Sequence, residues 1–291
     1  MLSLKEIRNR IKSVSSTRQI TSAMKMVAAA KLRKAQDAIL GLRPYASGLQ
    51  NILLNVTVDA ENSGNKVFTE IREPENILIV LITANRGLCG AFNANVIKHV
   101  RMLTEEEYAA QLGNKRVHFI CIGKKGYDFL RSRQYPVLVH DQELGEKPRF
   151  EEVAKLADEL KVWFVEKKYD RIYLVYNQFK NAAVQMPVAE MFLPLRLEKK
   201  PSGWQGPVNY IMEPSKEDLL EELIPRSLRM HLFKALTDSY AAEQGARMTA
   251  MHQATDNATE LLRELQLNYN KARQAAITKE LSEIVGGVNA L

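Results

Sequence analysis

No glycine occurs before Gly41 and no proline before Pro44. All ten prolines lie between Pro44 and Pro225, and beyond Pro225 the glycines are Gly245, Gly286 and Gly287. Both ends of the chain therefore run for long distances without a helix breaker, while the middle is well supplied with them. Apolar residues at the N-terminal end recur at helical spacing: Leu4, Ile7, Ile11, Val14, then Ala28, Leu32, Ala35 and Ile39. Between these runs the same register holds Arg18, Thr21 and Lys25, while Ile20, Met24 and Val27 form a displaced stripe. This pattern predicts one long helix whose buried face shifts around its axis midway. At the C-terminal end, Met251, Ala254, Ala258, Leu261, Leu265, Asn268, Ala272 and Ala275 alternate by three and four, the seam of a coiled coil. Helices of these lengths reach roughly 80 and 100 Å, too far to fold alone inside a compact domain, so antiparallel pairing with each other is the simplest burial.

The middle alternates between apolar runs and amphipathic stretches. Ile77–Ile82, Val117–Ile122, Val137–Val139 and Ile172–Tyr176 read as strands, with a last strand or hairpin arm around Ala183–Phe192. Helices are expected near 93–111, 124–133 and 151–167, and residues 57–71 as a loop. That order is βαβα, a doubly wound and mostly parallel sheet. The expected organisation is a shaft helix over 1–57, an α/β domain over 72–205, and a foot and second shaft helix over 210–291.

Charge is unevenly placed. Residues 1–40 carry nine basic side chains against Glu6 and Asp37, which accounts for the whole net charge of +7. The first helix is thus built to face something acidic or anionic. A basic region feeding a coiled coil raises nucleic acid as a partner. Here, however, the cations alternate with the seam instead of preceding it, and no aromatic residue for stacking occurs before Tyr45. No run of about 18 apolar residues spans a bilayer, and the N-terminus lacks the apolar core of a secretory signal. Two isolated cysteines fit a reducing compartment.

The stretch Thr83–Asn93, "TANRGLCGAFN", invites a search for chemistry. It leaves a strand and opens a helix, yet matches neither G-x-x-x-x-G-K-[ST] nor G-x-G-x-x-G. Gly123-Lys124-Lys125-Gly126 has a lysine but no hydroxyl residue after it to hold magnesium. Cys89 has no histidine in its loop to act as base, so it reads as packing. Gly87 and Gly90 read as a structural turn with Asn93 capping the helix. Five scattered histidines show no ligand spacing, and no metal or cofactor site is expected. A free enzyme built on the doubly wound domain and a nucleic-acid-binding coiled coil stand as the competing readings.

Three stretches resemble the γ subunits of the F-type ATP synthases, of bacterial type. They are "IRNRIKSVSSTRQITSAMKMVAAAKLRKAQ" (7–36), "TANRGLCGAFNANV" (83–96), and "ALTDSYAAEQGARMTAMHQATDNATELL" with "NKARQAAITKELSEIVGGVNAL" at the end. The resemblance implies a central rotor stalk without an active site of its own. Its coiled coil would enter a catalytic α/β hexamer, and its α/β domain would stand near a membrane c-ring and carry the ε subunit. It implies rotor–stator contacts at Met24 and Lys25, facing Glu243 and Arg247 across the coiled coil, and at Arg273, Gln274, Thr278 and Glu280. It also implies a c-ring foot at Tyr210–Pro214, with Tyr210 and Glu213 its contacts. Location at the cytoplasmic face of the bacterial plasma membrane, peripheral and through the complex only, follows from the same resemblance. Lys25 stands where some members carry an acidic residue, and Val288 where a small residue follows Gly287. The paired-cysteine insertion of chloroplast members does not occur, so thiol regulation is not implied.

Overall fold

The computed structural model describes residues 3–58, 67–195 and 215–288. Helix α1 spans Leu4–Val58 and helix α7 spans Lys216–Val288, 55 and 73 residues. Each crosses a proline, Pro44 in α1 and Pro225 in α7. An internal proline removes one backbone hydrogen bond and costs about 3 kcal/mol. Pro44 sits on the exposed side of α1, and Leu49 and Leu53 beyond it are buried. Tertiary packing on both sides of the ring therefore carries the helix through, and Gly41-Leu42-Arg43-Pro44 does not end it.

The middle forms one five-stranded sheet in the order β3-β2-β1-β4-β5. The strands are β1 (Ile77–Ile82), β2 (Val117–Ile122), β3 (Val137–Asp141), β4 (Arg171–Phe179) and β5 (Gln185–Leu193). The first four are parallel, and β5 pairs antiparallel with β4 as a hairpin. Each face of β1 is fully buried, which is why its sequence is a continuous apolar run instead of an alternation. Ile77, Ile79, Leu81, Phe119 and Val175 pack beneath α2 (Phe92–Met102) and α4 (Lys124–Ser132). Leu78, Val80, Ile82, Ile120 and Leu174 face the other way. There they meet α6 (Phe150–Val165), the first third of α7 and Leu53 of α1. The shaft is thus part of the core: α7 supplies Leu220, Ile224, Leu228, Leu232 and Leu236 to the second helical layer.

The helix expected over 93–111 is interrupted. After α2 comes a π-helical turn, Leu103–Glu107, and then α3 (Ala109–Gly113). A short α5 (Glu143–Glu146), for which the sequence has no periodic signal, follows β3.

The paired shaft corrects two expectations. The buried face of α1 does not shift: Thr21 is buried and Arg18 and Lys25 are half-buried in the original register. Of the displaced stripe, Ile20 and Val27 are outside, 60% and 57% exposed, and Met24 is no more buried than Lys25. Pairing geometry holds the register even where its occupants are polar. On α7, Met251, Ala258, Leu265 and Ala272 do lie in or beside the seam. Of the alternate positions, Ala254 is half-buried beside an equally half-buried Thr255, whereas Leu261, Asn268 and Ala275 are exposed and the seam residue is one further on, at Leu262, Tyr269 and Ala276. Leu262 is 6% exposed where Leu261 is 43%. Steps of three and four residues both keep a helical face, so apolar content alone did not separate neighbouring leucines.

Candidate functional site: the seat of the shaft on the sheet

A doubly wound sheet leaves a crevice at the carboxyl ends of its strands where the strand order reverses, and ligands bind there. In this chain the reversal lies between β1 and β4. The crevice is filled by the protein itself. Ala84 just past β1, Cys89 and Phe92 from the following turn, and Phe179 at the end of β4 close around Ala242 and Ala246 of α7. The tip of the β4–β5 hairpin meets the same face of the helix alongside. The Thr249 hydroxyl donates to the Ala182 carbonyl at 3.1 Å. A β carbon on Gly245 would stand 3.3 Å from Ala182 Cα and carbonyl oxygen. Small residues on α7 are what let the loops approach this closely, and the same property makes "AAEQGARMTA" readable as helix but not as a socket.

The backbone donors at the N-terminus of α4 are also engaged. At the N-terminus of α4, Lys124 N–H donates to Asn85 Oδ1 at 2.9 Å, Lys125 N–H to the Ala84 carbonyl at 3.1 Å, and Gly126 N–H to the Thr83 hydroxyl at 2.9 Å. Helix N-termini bind anions because their first N–H groups lack partners, and here the β1–α2 turn supplies the partners. Gly123, with φ +101°, permits this contact.

The turn itself differs from its sequence reading in three ways. Asn93 is not a cap: α2 begins at Phe92, with no side-chain cap bond. Instead Asn93 Oδ1 accepts the Ala84 N–H at 2.9 Å and its Nδ2 donates to Cys89 Sγ at 3.3 Å, stapling the turn from inside. Gly87 lies in the bend, but a β carbon there would meet nothing within 4 Å and its φ is not left-handed, so the bend does not require glycine at that position. The left-handed residues are Leu88 (φ 63°) and Gly90 (φ 59°). A leucine in that region carries no sequence signature. Cys89 is buried as packing, and burial, only partly offset by Arg247, raises its thiol pKa. Cys121 is pushed up to about 12 by burial. Neither cysteine is a ready thiolate.

Glu243 and Arg247 do not face Met24 and Lys25. They pair with each other on α7, and Arg247 Nη2 donates to the Gly87 carbonyl at 3.4 Å, tying the shaft to the turn. Their side chains are only 12% and 13% exposed, so they are spent inside the seat. Burial raises the Glu243 pKa despite the lowering fields of Arg247 and Lys31. The α1 cation acting on this carboxyl is thus Lys31. Met24 and Lys25 sit half-buried on α1, and Arg273, Gln274, Thr278 and Glu280 are all exposed on the last turns of α7. Tyr210 and Glu213 lie outside the described residues.

A second anchor lies where α7 crosses the sheet. His231 Nε2 is 2.9 Å from Glu190 Oε2, and the Tyr176 hydroxyl donates to Glu190 Oε1 at 3.0 Å. Burial pushes the Glu190 carboxyl up, but the bonds from His231 and Tyr176 outweigh it and leave it below its ordinary value. Arg229 on α7 also makes a bidentate bond to Asp158 on α6, at 2.8 to 3.1 Å.

Beyond the seat, α7 continues along α1 with Arg8 bonded to Tyr269 at 2.8 Å, so its turns from about Ile277 project past the described start of α1. That tip exposes Ile277, Leu281, Ile284 and Val285 on one side. No helix among the described residues is long and apolar enough to cross a membrane.

A family model described as ATP synthase matches residues 3–291. The chain is 54% identical to an ATP synthase gamma chain of Flavobacterium johnsoniae over 292 residues, covering 100% of this chain and 99% of the relative. It is 50% identical to the ATP synthase gamma chain of Christiangramia forsetii, with the same coverage. In fold it resembles a chain of Euglena gracilis mitochondrial ATP synthase in rotational state 3 (TM-score 0.67, 22% identity), covering 99% of this chain and 94% of that one. It also resembles a chain from the central stalk and c-ring of Tetrahymena thermophila mitochondrial ATP synthase (TM-score 0.58, 24% identity), covering 81% and 99%.

Proposed function

The chain belongs to the ATP synthase γ chain family, and from that premise we propose that it is the central rotor stalk of an F-type ATP synthase. Its shaft transmits rotation of a membrane c-ring to a catalytic hexamer of α and β subunits, and the chain performs no chemistry itself. It sits peripherally at the cytoplasmic face of a bacterial plasma membrane, held there by the complex, with the ε subunit on its α/β domain.

The reading rests chiefly on the seat. A transmission shaft must not turn within its own mounting. Here one helix of 73 residues is core to the α/β domain at one end, plugs its ligand crevice in the middle, and leaves as the free shaft. A crevice filled by the chain's own alanines suits a mechanical joint better than a nucleotide site. The apolar tip of α7, a patch of the kind that ordinarily contacts another surface, suits enclosure by a protein ring. The cations of residues 1–40 suit acidic loops of the β subunits.

Within this reading Met24 and Lys25 on α1, and Arg273, Gln274, Thr278 and Glu280 on α7, are the rotor–stator contacts. Tyr210 and Glu213 form the foot on the c-ring. The organisation is 1–57 shaft, 72–205 domain, 210–291 foot and shaft. Affinity purification of the tagged chain from native membranes tests the proposal. Subunits α, β, ε and c should co-purify, and truncation after Lys271 should loosen the assembly and lower coupled synthesis. Recovery of the chain without those subunits, or ATP hydrolysis by the purified chain alone, overturns it.

A further inference from the structure

Below the seat, the shaft depends on α1 and α7 holding each other in one register. Their large apolar knobs do not run continuously. Midway, α1 presents Arg18, Thr21, Lys25 and Ala28 to the seam, and α7 presents Met251, Thr255 and Ala258. Apart from Met251 and the flexible stems of Arg18 and Lys25, the knobs here (Thr21, Ala28, Thr255 and Ala258) are small and enter shallow holes, and the dispersion energy of such a surface changes little when one helix slides or rolls on the other. Torsion on a two-stranded coil drives that sliding and rolling.

One contact in this stretch is directional. The hydroxyls of Thr21 and Thr255 stand 2.9 Å apart across the seam. The Thr21 proton is directed at the Arg18 carbonyl at 3.1 Å, which leaves its oxygen as the acceptor. The Thr255 hydroxyl also reaches the Met251 carbonyl at 2.7 Å, so its one proton is shared between that carbonyl and Thr21. Each hydroxyl is therefore tied to the preceding turn of its own helix. The pair joins two backbones, not two loose side chains, and Thr21 is buried from competing water. A displacement of even one residue along either helix, about 1.5 Å, breaks it.

We infer that Thr21 and Thr255 are positioning residues that lock the axial and rotational register of the shaft below its seat. They touch no nucleotide or substrate. Their effect is to make rotation of one helix rotation of both, and this rests on the rotor reading above. A polar pair at a seam fixes register at some expense of stability. Replacement by valine, which keeps the shape and removes the bond, should therefore leave thermal stability unchanged or higher while register is lost.

The test places spin labels at Lys12→Cys and Arg263→Cys, both exposed positions, with Cys89 and Cys121 protected by burial. Inter-label distances are measured by pulsed electron resonance in the full chain and in the assembled complex. The parent should give one narrow distribution. Thr21→Val with Thr255→Val should broaden or split it, the displaced population rising about fivefold for one lost hydrogen bond, and protons pumped per ATP should fall. Thr255→Ser, which keeps the hydroxyl, should behave as the parent. A narrow distribution in the valine pair overturns the lock, and so does equal broadening in the serine variant. Failure of the parent chain to assemble with α and β subunits would instead remove the rotor reading and leave the distance result standing.

Discussion

A β carbon on Gly123 would stand 2.1 Å from the carbonyl oxygen of Thr83 and 2.7 Å from its carbonyl carbon. Both obstructing atoms are backbone at the end of a buried strand, so neither can step aside, and the φ of +101° is itself costly for any other residue. Gly123→Ala should cost about 3 kcal/mol or more in urea unfolding of the chain. Gly87→Ala, whose β carbon meets nothing within 4 Å, should stay within about 0.5 kcal/mol of the parent. Equal losses at the two glycines would contradict the close approach of α4 to β1.

The Asn93 staple is separable from a cap by choice of substitution. Serine caps helices as well as asparagine does, but it cannot reach across to the Ala84 N–H. Asn93→Ser should therefore lose as much as Asn93→Ala, about 1–3 kcal/mol for a buried donor left unpaired. Retention of stability by the serine variant would restore the capping role.

Glu190 gives the joint between α7 and the hairpin a pH dependence of known sign. Its carboxyl is held below its ordinary value by His231 and Tyr176 against the opposing push of burial. Its stabilising contribution is present above the ordinary carboxylate range, about 4.3, and is lost as pH falls through the depressed folded value. Glu190→Gln should lower stability by about 1 kcal/mol at pH 7. The difference from the parent should shrink steadily below about pH 4. A gap independent of pH would show that packing, not ionisation, holds this joint.

The parts legible in the sequence are those set by local periodicity. Breaker-free ends gave two long helices, and continuous apolar runs such as "ILIVLI" gave the buried parallel strands. What escaped was decided between distant segments. Whether Leu261 or Leu262 faces α1 depends on the partner helix, not on apolar content. The stripe Ile20 and Val27 looked buried because apolar residues usually are, yet Thr21 took the seam through its bond to Thr255. The seat is the clearest case. Gly245, Thr249, Ala182 and Ala84 are unremarkable in one dimension and come to the seat only when β1, the β4–β5 hairpin and α7 converge. Gly245, between Pro225 and Gly286, was the one available hint.

The exposed row on the last turns of α7 separates function from stability most cleanly. Arg273, Gln274, Thr278 and Glu280 are exposed and carry no packing in this chain. Alanine at each, or at all four, should leave the unfolding of the isolated chain within about 0.5 kcal/mol of the parent, as for surface positions generally. In the assembled synthase the same positions would be enclosed, and truncating a buried polar contact costs about 1–3 kcal/mol in binding. One such contact corresponds to a loss of about five- to more than a hundredfold. The quadruple variant should therefore fold normally while its complex dissociates faster and synthesises less ATP, measured on inverted membrane vesicles. Unchanged synthesis would exclude these residues from the rotor–stator contact, whereas unfolding of the isolated chain would show that they serve the helix itself.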